Sequence, residues 1–155
     1  MVGAMAIIRN RKSVLRISGV MFRGFRYAWP AVYTLIGLTF LAVPWRGERK
    51  LVRYRGTFGV VGPAVERLLK HAMVPGGAVA MTLGHTILAV DEAAFYGTWT
   101  HEIVHVRQYE RWGVLFVPAY LTSSLWVKAR GGDAYWDNPF EVQARAEDIN
   151  AQGHC

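Results

Sequence analysis

The sequence predicts a small α+β domain preceded by an apolar helix, on three observations. Short β-rich runs separated by glycine occupy residues 50–90, a helical stretch over 98–112 carries two histidines four residues apart, and a helix start at Asn138-Pro139 brings in Glu141. A chain of 155 residues is one domain's worth and can bury about two thirds of the surface its unfolded form exposes.

The apolar helix is read from residues 27–45, 19 positions without a charge. That length approaches the roughly 20 residues a helix needs to cross the hydrocarbon core. Trp29, Tyr33 and Trp45 lie toward its ends, where amphipathic rings favour a membrane interface, and Pro30 is tolerated near a helix start. Arg9, Arg11, Lys12, Arg16, Arg23 and Arg26 precede the stretch, and Arg46, Arg49, Lys50, Arg53 and Arg55 follow it, an arrangement that suits lipid headgroups. A buried or re-entrant helix is the alternative. Residues 1–48 are accordingly expected to form a basic N-terminus with a membrane-associating helix, and 49–155 a metal-binding domain. No cleaved signal peptide is expected.

Residues 50–55 alternate in polarity, Gly56 breaks them, and 57–61 resume a β-rich composition, which predicts a hairpin. Val65, Leu68, Leu69 and Ala72 then fall at helical spacing within 64–73. Residues 78–83 and 86–90, separated by Gly84-His85, read as two strands or one bent strand, so a short antiparallel sheet is expected. Asp91 can cap the next helix, which Gly97 and Thr98-Trp99-Thr100 could divide, and Gly113 is placed to stop it. The uncharged run 113–127, interrupted by Pro118, suits a core or interfacial helix. In 137–141, Asn138 is the cap of a last helix and Pro139 its first residue.

The chemistry rests on His101-Glu102-Ile103-Val104-His105. Four helical steps of about 100° overshoot one turn by only about 40°, so both imidazoles can reach one ion. Glu102 lies beside them, close enough to take a proton from a water at the metal without ligating it. A catalytic zinc usually has three protein ligands, and Asp133, Asp137, Glu141, Glu147, Asp148 and His154 are the downstream candidates for the third. Glu141 is preferred because it opens a helix that can pack back on the first. Cys155, the only cysteine, allows no intrachain disulfide.

These residues resemble the HExxH metallopeptidases of the zincin group, and within it the gluzincins, whose third ligand is a glutamate on a later helix. Glu141-Val142-Gln143-Ala144 is similar to the start of that helix. One departure stands out: many gluzincins carry an aspartate four residues after the third ligand to orient a metal-bound histidine, and here that position is Arg145. Asp137 or Asp148 would have to serve instead, or the role is vacant. Residues 80–88, 101–113 and 138–141 further resemble an uncharacterised bacterial family of small metalloproteases.

The resemblance implies a zincin-like fold, Zn2+ held by His101, His105 and Glu141, Glu102 as general base, and a peptide or protein substrate paired to an edge strand, either 78–83 or 86–90. Donors for the developing oxyanion are sought among His85, Tyr109, Tyr120 and Tyr135, with Tyr135 and His85 ranked first. Gln108 shares the histidines' face and either orients a ligand or is solvated. Trp99, Trp112, Trp126 and Trp136 are assigned to packing, and Glu110 to pairs with Arg107 and Arg111. The expected location is the bacterial inner membrane, or the cytoplasm if 27–45 is buried. Despite a net charge of +7, no nucleic-acid module is recognisable and none is expected as a partner. The competing function is a non-catalytic membrane or interaction protein with a structural metal site.

Overall fold

The computed structural model describes residues 28–42, 49–71 and 77–152. The basic residues 9–26, Trp45, Arg46, Pro75, Gly76, His154 and Cys155 lie outside that description. The fold is α+β, in the order α1 (Ala31–Ala42), β1 (Lys50–Tyr54), β2 (Thr57–Val61), α2 (Pro63–Lys70), β3 (Ala80–Leu83), β4 (Thr86–Ala89), α3 (Glu92–Trp112), a 3-10 turn (Gly113–Leu115), α4 (Phe116–Ala129) and α5 (Pro139–Gln152).

The four strands run in the order β1-β2-β4-β3. The expected hairpin of β1 and β2 forms, and of the two readings of residues 78–90 the two-strand one holds, with β3 and β4 pairing antiparallel. Arg55 and Gly56 turn the first with φ of 46° and 86°, the paired positive values that match the twist of antiparallel strands. The expectation of a purely antiparallel sheet is corrected, however: β2 and β4 pair in parallel, so the sheet is mixed. After β2 the chain rises through α2, skips one place to lay β3 along the edge, then hairpins back to insert β4 beside β2. Strand periodicity gives which face each residue takes but not which neighbour a strand finds, so the sequence could not show this.

Both faces of the sheet are covered, which explains the near-continuous apolar runs of β2 and β4. On one face Val52, Val61, Ile87 and Ala89 pack with Phe95 of α3. On the other Val60 and Leu88 meet Val65 and Leu69 of α2, with Leu38, Phe40 and Leu41 of α1 against them. The alternation between Val60 and Val61, and between Leu88 and its two neighbours, is the period of two expected of strands.

α1 is 12 residues long, and among the described residues no helix is long and apolar enough to cross a membrane. The expected span is therefore not observed there. Instead α1 is pinned to the sheet: the His85 N–H donates to Thr34 Oγ1 at 2.9 Å and the Thr86 hydroxyl to the Thr34 carbonyl at 3.1 Å. Gly37 permits the approach, since a Cβ there would stand 2.7 Å from that of Thr86. Arg49 closes the helix by donating to the Leu41 carbonyl at 2.8 Å.

α3 runs unbroken for 21 residues despite Gly97 and the Thr-Trp-Thr triplet. Asp91 caps it by accepting from the Ala94 N–H, and Gly113 ends it at φ 56°. Gly97 meets no neighbour, so its cost is confined to the roughly 1 kcal/mol of helix propensity, which packing on both sides of α3 outweighs.

Candidate metal centre

α3 presents His101, His105 and Gln108 on one face, and α5 packs against that face. The start of α5 is fixed by Asn138, fully buried, whose Oδ1 accepts from the Phe140 N–H at 2.9 Å. Its amide donates to the Tyr120 carbonyl at 3.1 Å and to Ser124 Oγ at 2.7 Å, tying the helix start to α4. Glu141 thereby sits in the first turn of α5. It does not close a capping box; its side chain turns to the histidines.

His101, His105 and Glu141 form a group that could hold a metal ion, the only such cluster among the described residues. His101 Nε2 lies 3.3 Å from Glu141 Oε2, His105 Nε2 lies 3.4 Å from Glu141 Oε1, and the two Nε2 atoms are 3.2 Å apart. Glu141 is buried, and its Oε2 has no hydrogen-bond partner. A buried carboxylate oxygen without a donor, facing two imidazole nitrogens, is a costly arrangement that a cation would relieve.

Protons substitute in part. Burial opposes charge on His105, but the hydrogen bond to Glu141 and the charges of Glu102 and Glu141 overcome it and push the imidazole up to about 9. Burial likewise disfavours the ionised form of Glu141, yet the imidazoles of His101 and His105 beside it, the charge of His105 and the Tyr120 hydroxyl on its Oε1 hold it well below the usual carboxylate range.

Gln108 resolves the tautomer of His105. Its Nε2 donates to the Phe140 carbonyl and to Gln143 Oε1, each at 3.0 Å, which leaves Oε1 to face His105 Nδ1 at 2.8 Å. That oxygen only accepts, so Nδ1 carries a proton in either charge state, and it is Nε2, facing Glu141 and His101, that gives up its proton when the ring becomes neutral. The orienting role sought in Asp137 or Asp148 therefore falls to Gln108, which is buried rather than solvated. Asp137 instead accepts from the Asp133 N–H at 2.8 Å, in the loop ahead of α5. Arg145, at the position where a gluzincin places its aspartate, donates to the Trp136 carbonyl and lies over that indole ring at 4.7 Å.

Glu102 is buried on the side of α3 that faces the sheet, about 120° around the helix from Gln108. Thr82 of β3 donates to its Oε2 at 2.7 Å. Its carboxylate is not part of the three-donor group. The sequence offered no signal for Thr82, because its role depends on which strand lies next to α3.

The oxyanion candidates divide. Tyr120 donates to Glu141 Oε1 at 2.9 Å, and burial followed by the charge of Glu141 drives its phenol far above the ordinary range. Burial, then the charges of Glu141 and Glu102, push Tyr135 up to about 12. Both tyrosines thus attend the cluster as neutral donors. His85 does not join it: buried in the β3–β4 turn, its Nε2 lies 3.3 Å from Glu110. Glu110 is paired there, and Arg107 reaches across to Glu147 of α5 at 3.0 Å. Tyr109 is packed between Tyr33 and Phe116. Trp99 packs against Tyr54 and Trp112 against Phe140, whereas Trp126 and Trp136 are more than half exposed.

Comparison with known protein families, with curated proteins and with solved structures finds no match for this chain.

Proposed function

We propose that this protein is a zinc-dependent hydrolase of the peptidase type, with His101, His105 and Glu141 as ligands and Glu102 as general base. The observation that carries the reading is the spacing of the three donors. Tetrahedral zinc with bonds of about 2.0–2.1 Å requires its ligand atoms to stand about 3.3–3.4 Å apart. The separations here are 3.2, 3.3 and 3.4 Å. Two imidazoles and one carboxylate also match the donor set of catalytic zinc, which leaves a fourth position for solvent.

When bound, the ion would lower the pKa of a coordinated water to roughly 7 and polarise a substrate carbonyl. Glu102 accepts a proton from the attacking water and returns it to the amine nitrogen as the C–N bond breaks. Thr82 holds that carboxylate against the sheet and fixes its approach. Tyr135, neutral at pH 7, supplies a donor for the carbonyl oxygen as it gains charge, while the Tyr120 hydroxyl stays on Glu141. β3 is a sheet edge packed beside α3, so Ala80–Leu83 is the strand to which an extended peptide would pair. A zincin-like arrangement is supported by this order of edge strand, histidine helix and glutamate helix.

The competing reading is a structural metal site, which the burial of His105 and Glu141 favours. Against it stands Glu102, a buried carboxylate outside the ligand set for which scaffolding gives no use. Metal analysis combined with turnover of a peptide library separates the two. Wild type should hold stoichiometric zinc, and Glu102→Gln should keep it while losing activity by about 10²–10⁴-fold. Full activity in Glu102→Gln refutes the base assignment, and undiminished zinc in Glu141→Ala refutes the ligand set.

A further inference from the structure

The chain's charge is unevenly divided. Seven of its 18 Lys and Arg residues precede Glu48, the first acidic residue, and the remaining eleven are matched by eleven acids. The entire excess of +7 therefore belongs to the first 47 residues, the part of the chain that contains α1.

α1 itself carries no charge, and of its side chains Leu35 and Ile36 are 63% and 44% exposed. α4 repeats this character. It buries only Phe116 and Val127, bears a single charge at Lys128, and leaves Leu121, Leu125 and Trp126 exposed, Leu125 by 69%. Leu115, just before it, is 56% exposed. A helix apolar on every side is one that is covered on every side, and exposed apolar surface on this scale marks a docking site. α1 meets the start of that segment: the Tyr33 hydroxyl donates to the Val114 carbonyl at 3.1 Å, in the turn that leads into α4.

We infer that α1 and α4 together form a face that seats the protein in one leaflet of an anionic membrane without crossing it. Charge selects this occupant. α1 is uncharged and residues 113–132 carry Lys128 and Arg130 with no acid, so a second copy would set like charges against each other, whereas an acidic lipid surface is complementary to them. The end of α4 is built for the headgroup layer: Arg130 lies 3.8 Å over the Trp126 ring, with Lys128 exposed beside it. There an indole sits at the apolar boundary while its cation reaches phosphate. The face is independent of the metal chemistry, although α4 serves both, since Tyr120 next to Leu121 is the residue that reaches Glu141.

The test is co-sedimentation of the full chain with vesicles of phosphatidylcholine alone and of phosphatidylcholine mixed with phosphatidylglycerol. Wild type should bind the anionic vesicles more tightly than the neutral ones. The double substitutions Leu125→Glu with Trp126→Glu and Leu35→Glu with Ile36→Glu should each weaken binding by about tenfold or more. Circular dichroism checks the fold of each variant. If a double variant is unfolded, Leu125→Gln alone should still weaken binding by about threefold. Three outcomes overturn the inference: wild type left in the supernatant with both vesicle types, the α4 variants binding as well as wild type, or a wild-type dimer in solution that the α4 substitutions dissociate.

Discussion

Between α3 and α5 the chain buries Glu102, His105, Gln108 and Glu141, while α1 and α4 hold Leu35, Leu125 and Trp126 in the open. The usual distribution is inverted in both places, with different results. Buried polar groups must find partners, so the first region is a connected network running from Gln143 through Gln108 and His105 to Glu141 and Tyr120. Exposed apolar groups are under no such demand, and the second region shows only side chains meeting solvent. The first arrangement is satisfied within the chain except at Glu141 Oε2; the second is satisfied nowhere within the described residues.

The sharpest way to break the comparison is to remove a ligand. Excess zinc should stabilise wild type by about 4 kcal/mol at a thousandfold over its dissociation constant, and Glu141→Ala should lose nearly all of that gain in thermal melts with and without zinc.

pH comes next. Zinc competes with the proton on His105, which is held up to about 9, so affinity should rise about tenfold per pH unit from pH 7 and level off near 9. In the metal-free protein the sign reverses. The raised His105 contributes stability that is complete below its ordinary value of 6.5 and is lost as pH rises through about 9, which urea denaturation of chelator-treated protein can follow.

Gln108→Leu should keep the fold and weaken zinc by about 10–100-fold in competition with a chromophoric chelator, because the His105 tautomer is no longer fixed. The smallest effects sharpen the contrast at the surface. Asp91→Ala removes a helix cap and should cost about 1 kcal/mol, whereas Leu125→Ala should change stability by less than about 0.5 kcal/mol, since nothing is buried there to lose.

Much of this architecture is legible in the chain. The hairpin turn at Gly56, the cap at Asp91, the stop at Gly113 and the Asn138-Pro139 helix start are local, each set by the dihedral or hydrogen-bond needs of one or two residues. His101 and His105 converge because one helical turn separates them. Three things were not legible. The parallel pairing of β2 with β4 depends on a crossover, Thr82 became a partner of Glu102 only because β3 took the edge beside α3, and Gln108 found its acceptors on α5. The arginine at 145 was visible; the contact of Gln108 with His105 was not.

The sequence by itself determined the local elements and two of the three donors, because backbone propensity and helical period act over a few residues. Only the tertiary structure decided that Glu141 would meet those donors, that an amide would orient one of them, and that Tyr33 of α1 would reach the turn leading into α4. Those are contacts between segments 14 to 81 residues apart, chosen by how α3, α4 and α5 pack and not by anything written at either end.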